Sequence, residues 1–166
     1  MESLFETSYV RTKEMVKETS FSYFFKGRRG LIAWGLPAAL AIASIINFVL
    51  GIDEFPWGVL FSVLFIVYYI MCYFNHTKLV IKRDLESTGK EIAVYSFITE
   101  NFIYNTSSTG SQTRLNFYDI KYGSKTENYI LLISNTNSVY SFRKDGFTKG
   151  DYHQFLVFLR NKGIKI

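Results

Sequence analysis

Two stretches, LIAWGLPAALAIASIINFVL (residues 31–50) and FPWGVLFSVLFIVYYIMCYF (residues 55–74), decide the reading of this 166-residue chain, and only Gly51-Ile52-Asp53-Glu54 lies between them. Each run holds 20 residues and no Asp, Glu, Lys or Arg. A hydrocarbon core of about 30 Å, at about 1.5 Å rise per helical residue, requires about 20 such residues. The competing reading, a pair of core helices in a soluble domain, requires a charged face toward water that neither run has. The spacing therefore predicts a transmembrane hairpin. Trp34, Trp57, Tyr68, Tyr69 and Tyr73 fall near its ends, where an apolar ring with a polar tip suits the interface.

Orientation follows from the flanks. Lys26, Arg28 and Arg29 precede the first span, Lys78, Lys82 and Arg83 follow the second, and the acidic turn has no basic residue. Basic flanks stay cytoplasmic, so both termini are expected on the cytoplasmic side of a plasma membrane. Arg28-Arg29-Gly30-Leu31-Ile32 also reads as a twin-arginine entry with Ala41-Ile42-Ala43 as a cleavage site. The apolar run continues past that point to Leu50 and a second span follows, which argues for retention.

Three segments are expected: 1–30, cytoplasmic; 31–74, the hairpin; and 75–166, cytoplasmic. The first carries six basic and four acidic residues, the turn two acidic, and the last thirteen basic and eight acidic, so all the positive excess behind the net charge of +5 lies on the inner side. That balance favours the anionic inner leaflet, each basic residue near the surface contributing about 1 kcal/mol. Lys78, Lys82, Arg83 and Lys90 are the candidate lipid contacts. Nucleic acid is not expected as a partner, because the basic residues are scattered among acidic ones without a binding motif.

In the first span Gly35, Ala39 and Ala43 recur every four residues and Asn47 continues the stripe, a spacing that lets two helix backbones approach closely. The expected partner is the Gly58 and Ser62 side of the second span, with a homodimer as the alternative. Pro37 is expected to bend the helix by freeing the carbonyl of Ala33. No Asp, Glu, Lys, Arg or His lies in either span, so a proton or ion pathway lacks its usual parts.

Before the hairpin, Leu4 to Val10 reads as a strand and Lys13 to Phe25 as a helix capped by Thr12, with an apolar side of Met15, Val16, Tyr23 and Phe24. That side packs on the C-terminal domain or lies in the headgroup layer. After the hairpin, strands are expected at Leu79–Lys82, Glu91–Thr99, Asn101–Thr106, Ser111–Tyr122, Tyr129–Ser134 and Ser138–Arg143, from their Ile, Val, Tyr, Phe and Thr content between polar turns. Thr148 with Asp151 reads as a capping box opening a final helix, which Gly163 ends. The fold class is α+β: a two-helix hairpin plus an antiparallel, strongly bent sheet closed by one C-terminal helix.

Catalytic candidates are few. His76 and His153 are far apart in sequence, the single Cys72 lies in the second span, and no metal-binding, nucleophile or phosphate-cradling motif occurs. Asp119 is the most tempting carboxylate, with pairing to Lys121 or Lys144 as its plainer role. No enzyme activity, cofactor or metal is expected.

Tyr95-Ser96-Phe97, Leu115 to Ile120, Thr126 to Ile133, Lys144 to Phe147 and Asp151 to Leu159, behind a two-helix hairpin, resemble the YcxB-like bacterial membrane proteins. The resemblance implies a bacterial plasma-membrane protein whose cytoplasmic domain is similar to a pleckstrin-homology fold, without catalytic residues to carry over. Phe142-Arg143 departs from the family's apolar residue and Pro before the Lys. The expected function is a membrane-anchored binding module holding a protein partner or anionic lipid at the inner leaflet. A small regulatory or immunity-type subunit acting through its hairpin is the alternative.

Overall fold

In the computed structural model the described residues are 2–52, 56–86, 89 and 92–166, with side chains for all of these but 27, 28, 85 and 86. The chain is α+β, with antiparallel sheets and four α-helices among the described residues. It divides into two compact units, one of residues Met1–Thr19 with Ile81–Ile166, the other of Ser20–Val80.

The first unit holds β1 (Phe5–Arg11), β2 (Ile92–Ile98), β3 (Phe102–Ser107), β4 (Gln112–Asn116), β5 (Ile120–Lys125), β6 (Tyr129–Ser134), β7 (Val139–Arg143), β8 (Phe147–Lys149) and α4 (Tyr152–Asn161). They form a five-stranded sheet in the order β4-β3-β2-β1-β8 and a three-stranded sheet in the order β5-β6-β7. β1 comes from before the apolar helices, yet it pairs along its whole length with β2 and on its other side with β8. The expected segment 1–30 is therefore split, and its strand belongs with the C-terminal residues. β1 supplies ladder hydrogen bonds that β2 and β8 cannot otherwise make.

The core lies where α4 meets both sheets. Phe142, Phe155, Ile98, Ile103, Ile130, Leu132 and Leu159 are fully buried there. The Phe5 ring from β1 packs within 5.4 Å of Phe155 and 5.5 Å of Phe158, centroid to centroid. β6 is buried at all six positions, as its unbroken Tyr129-Ile130-Leu131-Leu132-Ile133 run dictates for a strand covered on both faces.

α4 is capped by Asp151, whose carboxylate accepts from the Gln154 N–H at 2.9 Å. Thr148 is not the cap. It lies in β8 and donates its hydroxyl to the Glu6 carbonyl, because β8 extends the sheet before the helix can start. Asp151→Ala should cost about 1 kcal/mol, read as a lowered thermal midpoint and faster amide exchange in the first turn of α4. Gly163 ends the helix at φ 79°, with the Ile164 N–H returned to the Leu159 carbonyl.

The strands differ from expectation in two places. The run expected at Leu79–Lys82 is helical, and the run expected at Ser111–Tyr122 is broken at Phe117–Asp119 by a turn of 3-10 helix that separates β4 from β5. The Asn116 side chain accepts the Tyr118 N–H and seeds that turn.

The second unit contains the end of α1 (Lys13–Phe25), α2 (Gly27–Val49) and most of α3 (Trp57–Ile81). Thr12 caps α1 as expected, its hydroxyl 3.2 Å from the Met15 N–H. α2 and α3 are long and apolar enough to cross a bilayer, and their apolar side chains are largely exposed, Leu31 at 74 % and Val49 at 75 %. That exposure is unlike a soluble core. α3 runs seven residues beyond the expected Phe74, because no Pro or Gly interrupts Asn75 to Ile81. Asp53, Glu54 and Phe55 of the expected turn and second span lie outside the described residues.

The two apolar helices meet through Ser44, Pro37 and the Leu40 backbone. The Gly58 N–H donates to Ser44 Oγ at 3.0 Å, and the Ser62 hydroxyl lies 2.8 Å from the Pro37 carbonyl. Gly35, Ala39 and Ala43 are exposed on the opposite side of α2, with nothing within 4 Å of a Cβ built on Gly35, and Asn47 is half-buried. The expected meeting of that stripe with Gly58 and Ser62 is corrected: at about 100° per residue, Pro37 and Ser44 share a face with Ala33, and Gly35 stands about 160° from it. At one end of this unit Phe24 and Phe25 of α1 pack edge-on against Tyr69 and Tyr73 of α3, and the Tyr69 hydroxyl donates to the Phe24 carbonyl at 3.0 Å.

Candidate interaction surface

Alternation along the strands sorts the five-stranded sheet into two faces. Its inner face carries the row Phe5, Ile98, Ile103 and Leu115, all buried in the core. The next inner row is polar: Thr7, Ser96, Asn105 and Thr113. Beyond it the Tyr9 hydroxyl is pushed up to about 12 by burial, partly offset by the Arg11 guanidinium. The fold favours the neutral phenol, so its contribution is intact below about pH 10 and is lost as pH rises from there toward 12. Tyr9→Phe should remove one late-titrating phenolate from the ultraviolet titration and flatten the alkaline loss of stability.

The outer face runs counter to the usual pattern of an antiparallel sheet, whose solvent side is polar. One row reads Glu6, Phe97, Tyr104 and Arg114 across β1, β2, β3 and β4, and the next reads Ser8, Tyr95, Thr106 and Gln112. Tyr95 is 48 % and Phe97 43 % exposed. Phe102 and Tyr104 lie half-buried beside them with ring centroids 6.2 Å apart, and the Arg114 guanidinium sits 3.6 Å from the Phe102 centroid. Stacking of this kind leaves the edge N–H donors of an arginine free to take an anion. Four aromatic rings and a cation on one open face exceed what a solvated sheet needs.

Three charged groups on this face have no ion-pair partner among the described residues: Glu6, Arg114 and Lys149. Glu6 accepts from the Ser3 hydroxyl, and Lys149, opposite it on β8, turns its ammonium to the Ser3 carbonyl. The first turns of α1 are tied elsewhere, where the Glu18 carboxylate accepts from the Asn128 N–H at 2.9 Å and Nδ2 at 3.0 Å. Burial works to raise the Glu18 pKa, but bonds from Asn128 and Thr126 outweigh it and hold the carboxyl below its ordinary range. That anchor is present above the usual carboxylate range and is lost as pH falls through the lowered value.

Of the candidate lipid contacts, Lys78, Lys82 and Arg83 are exposed, and Lys90 lies outside the described residues. Arg83 is shared with Asp84 at 3.2 Å, and Asp84 also takes Arg11 at 2.8 Å. Asp119 is exposed and not paired to Lys144, which donates instead to the Thr126 and Glu127 carbonyls at 2.8 and 2.7 Å. His153 is exposed on α4, and His76 stacks on the Tyr23 ring at the end of α3. No group of three His, Cys, Asp or Glu is placed to hold a metal among the described residues.

The chain matches no protein-family model, no curated protein and no solved structure.

The sequence signal for the outer face was present but ambiguous. In β2, Ile92, Val94 and Ile98 alternate with Ala93, Tyr95 and Phe97, so both faces read as apolar. Only the pairing with β1, β3 and β4 settles which set turns inward.

Proposed function

We propose that this chain is a membrane-anchored interaction module of the bacterial plasma membrane, in which α2 and α3 cross the bilayer and the β-rich unit holds a partner at the inner leaflet. The observation that carries the reading is the open aromatic face, Tyr95, Phe97, Phe102 and Tyr104 with Arg114, on a chain that also has two bilayer-length apolar helices. Basic flanks at Lys26, Arg28, Arg29, Lys78 and Lys82 support cytoplasmic termini and attraction to anionic lipid. Two antiparallel sheets packed with one C-terminal helix are compatible with a pleckstrin-homology-like fold and with YcxB-like membership. The partner is a protein or an anionic lipid headgroup, and no reaction is assigned.

A photoreactive amino acid at position 97 of the full chain, irradiated in intact cells, should give discrete protein or lipid adducts. The same group at Gln154, exposed on α4, should not. Equal and diffuse labelling at both positions would remove the reading.

A second reading, a regulatory subunit acting through its hairpin, is favoured by the exposed Gly35, Ala39 and Ala43 side of α2. Leucine at Gly35 and Ala39 should then abolish assembly with the larger complex. Unchanged co-purification of that complex with the double variant would end it.

A further inference from the structure

We infer that the outer face of the five-stranded sheet is a contact surface between two copies of this chain, joined about a two-fold axis that sets Glu6 of each copy against Arg114 of the other. The inference rests on the interaction-module reading and names its partner. Its ground is the order of groups from β1 to β4, acid, aromatic, aromatic, base, as Glu6, Phe97, Tyr104 and Arg114, with Lys149 of β8 beyond Glu6 and its ammonium turned to the Ser3 carbonyl.

Within one copy the two charges cannot meet. They stand on β1 and β4, three strand spacings apart, or about 14 Å. Neither has an ion-pair partner among the described residues. A two-fold axis parallel to the strands reverses the row, so Glu6 opposes Arg114, Phe97 opposes Tyr104, and each contact is made twice. The adjoining row obeys the same operation, Ser8 opposing Gln112 and Tyr95 opposing Thr106, so that polar ends and phenol-to-hydroxyl contacts coincide. Such self-complementarity is what an isologous interface requires. Two sheet faces pack about 10 Å apart with strands within about 30°, which seats the rings of one face between those of the other.

An anionic bilayer fits less well. It would draw Arg114 and Lys149 but set like charge against Glu6, which stands between them in the row, and nucleic acid meets the same objection. A second copy uses both charges.

The test uses the full chain in detergent micelles and in nanodiscs, with mass by light scattering and affinity by energy transfer between labelled copies. The wild type should be a dimer. Glu6→Lys and Arg114→Glu should each weaken self-association about tenfold or more, whereas an equimolar mixture of the two variants should associate. In the mixed pair the lysine introduced in one copy opposes the glutamate introduced in the other, and the native Glu6 to Arg114 contact is kept at the second position. Restoration in the mixture cannot come from a folding defect. A monomer at every concentration overturns the inference, as does a dimer indifferent to both variants. If the wild type is monomeric yet position 97 still gives a lipid adduct or an adduct of another protein, only the second copy falls and the module reading stands. If position 97 gives no discrete adduct at all, both fall.

Discussion

A fragment of residues 75–166 should fail to fold, and residues 2–19 joined by a flexible linker to 81–166 should restore a folded unit. The fragment looks like a complete C-terminal domain in sequence, but it lacks β1, the strand between β2 and β8. Without it seven paired positions of β2 lose their neighbour, and the core loses the Phe5 ring from its contacts with Phe147, Phe155 and Phe158. Truncating one buried Phe costs about 3–5 kcal/mol, and a whole domain is stable by only about 5–15 kcal/mol. Removing that ring together with an interior strand therefore leaves no net stability. The fragment should show collapsed amide dispersion and rapid hydrogen exchange across β2, and the linked form protected amides there. A well-dispersed spectrum from 75–166 alone would show that β2 and β8 close the sheet without β1. Phe5→Ala in the full chain is the milder version and should unfold the β-rich unit first.

The same strand shows what the sequence could and could not disclose. Elements governed by local chemistry are legible: β6 from its β-branched and aromatic content between polar turns, α1 from its Thr12 cap, α4 from Asp151 before it and Gly163 after it. Leu4 to Val10 was legible as a strand, yet its neighbours were not, since pairing across 80 intervening residues leaves no periodic trace (Arg11 faces Ile92). The three-residue β8 was missed because Phe147-Thr148-Lys149 is too short to alternate. Its Thr148 then imitated a helix cap. The interaction surface was hidden for another reason: the Glu6 to Arg114 row is assembled from four strands, and its acid and base stand 108 positions apart in sequence.

Gly58→Leu should separate the two apolar helices, whereas Gly35→Leu should leave them packed. A Cβ at Gly58 would come within 2.6 Å of Ser44 Cβ and 2.8 Å of the Leu40 carbonyl oxygen, and the latter is backbone that cannot swing aside. The helices must then part, which also stretches the Gly58 N–H to Ser44 Oγ bond and the Ser62 hydroxyl contact with the Pro37 carbonyl. Overpacking of this kind costs about 1–3 kcal/mol, and losing two hydrogen bonds adds about 1 kcal/mol each. Association within a bilayer depends on close packing and polar contacts more than on water expulsion, so little remains to offset the loss. Unfolding of the helix pair in graded SDS should shift to markedly lower detergent fraction for Gly58→Leu and by about half as much for Ser44→Ala. Gly35→Leu should match the wild type, because nothing lies within 4 Å of that position. If Gly35→Leu were the damaging change and Gly58→Leu silent, α2 would have to present its small-residue side to α3, and the Pro37–Ser62 contact would be the wrong one.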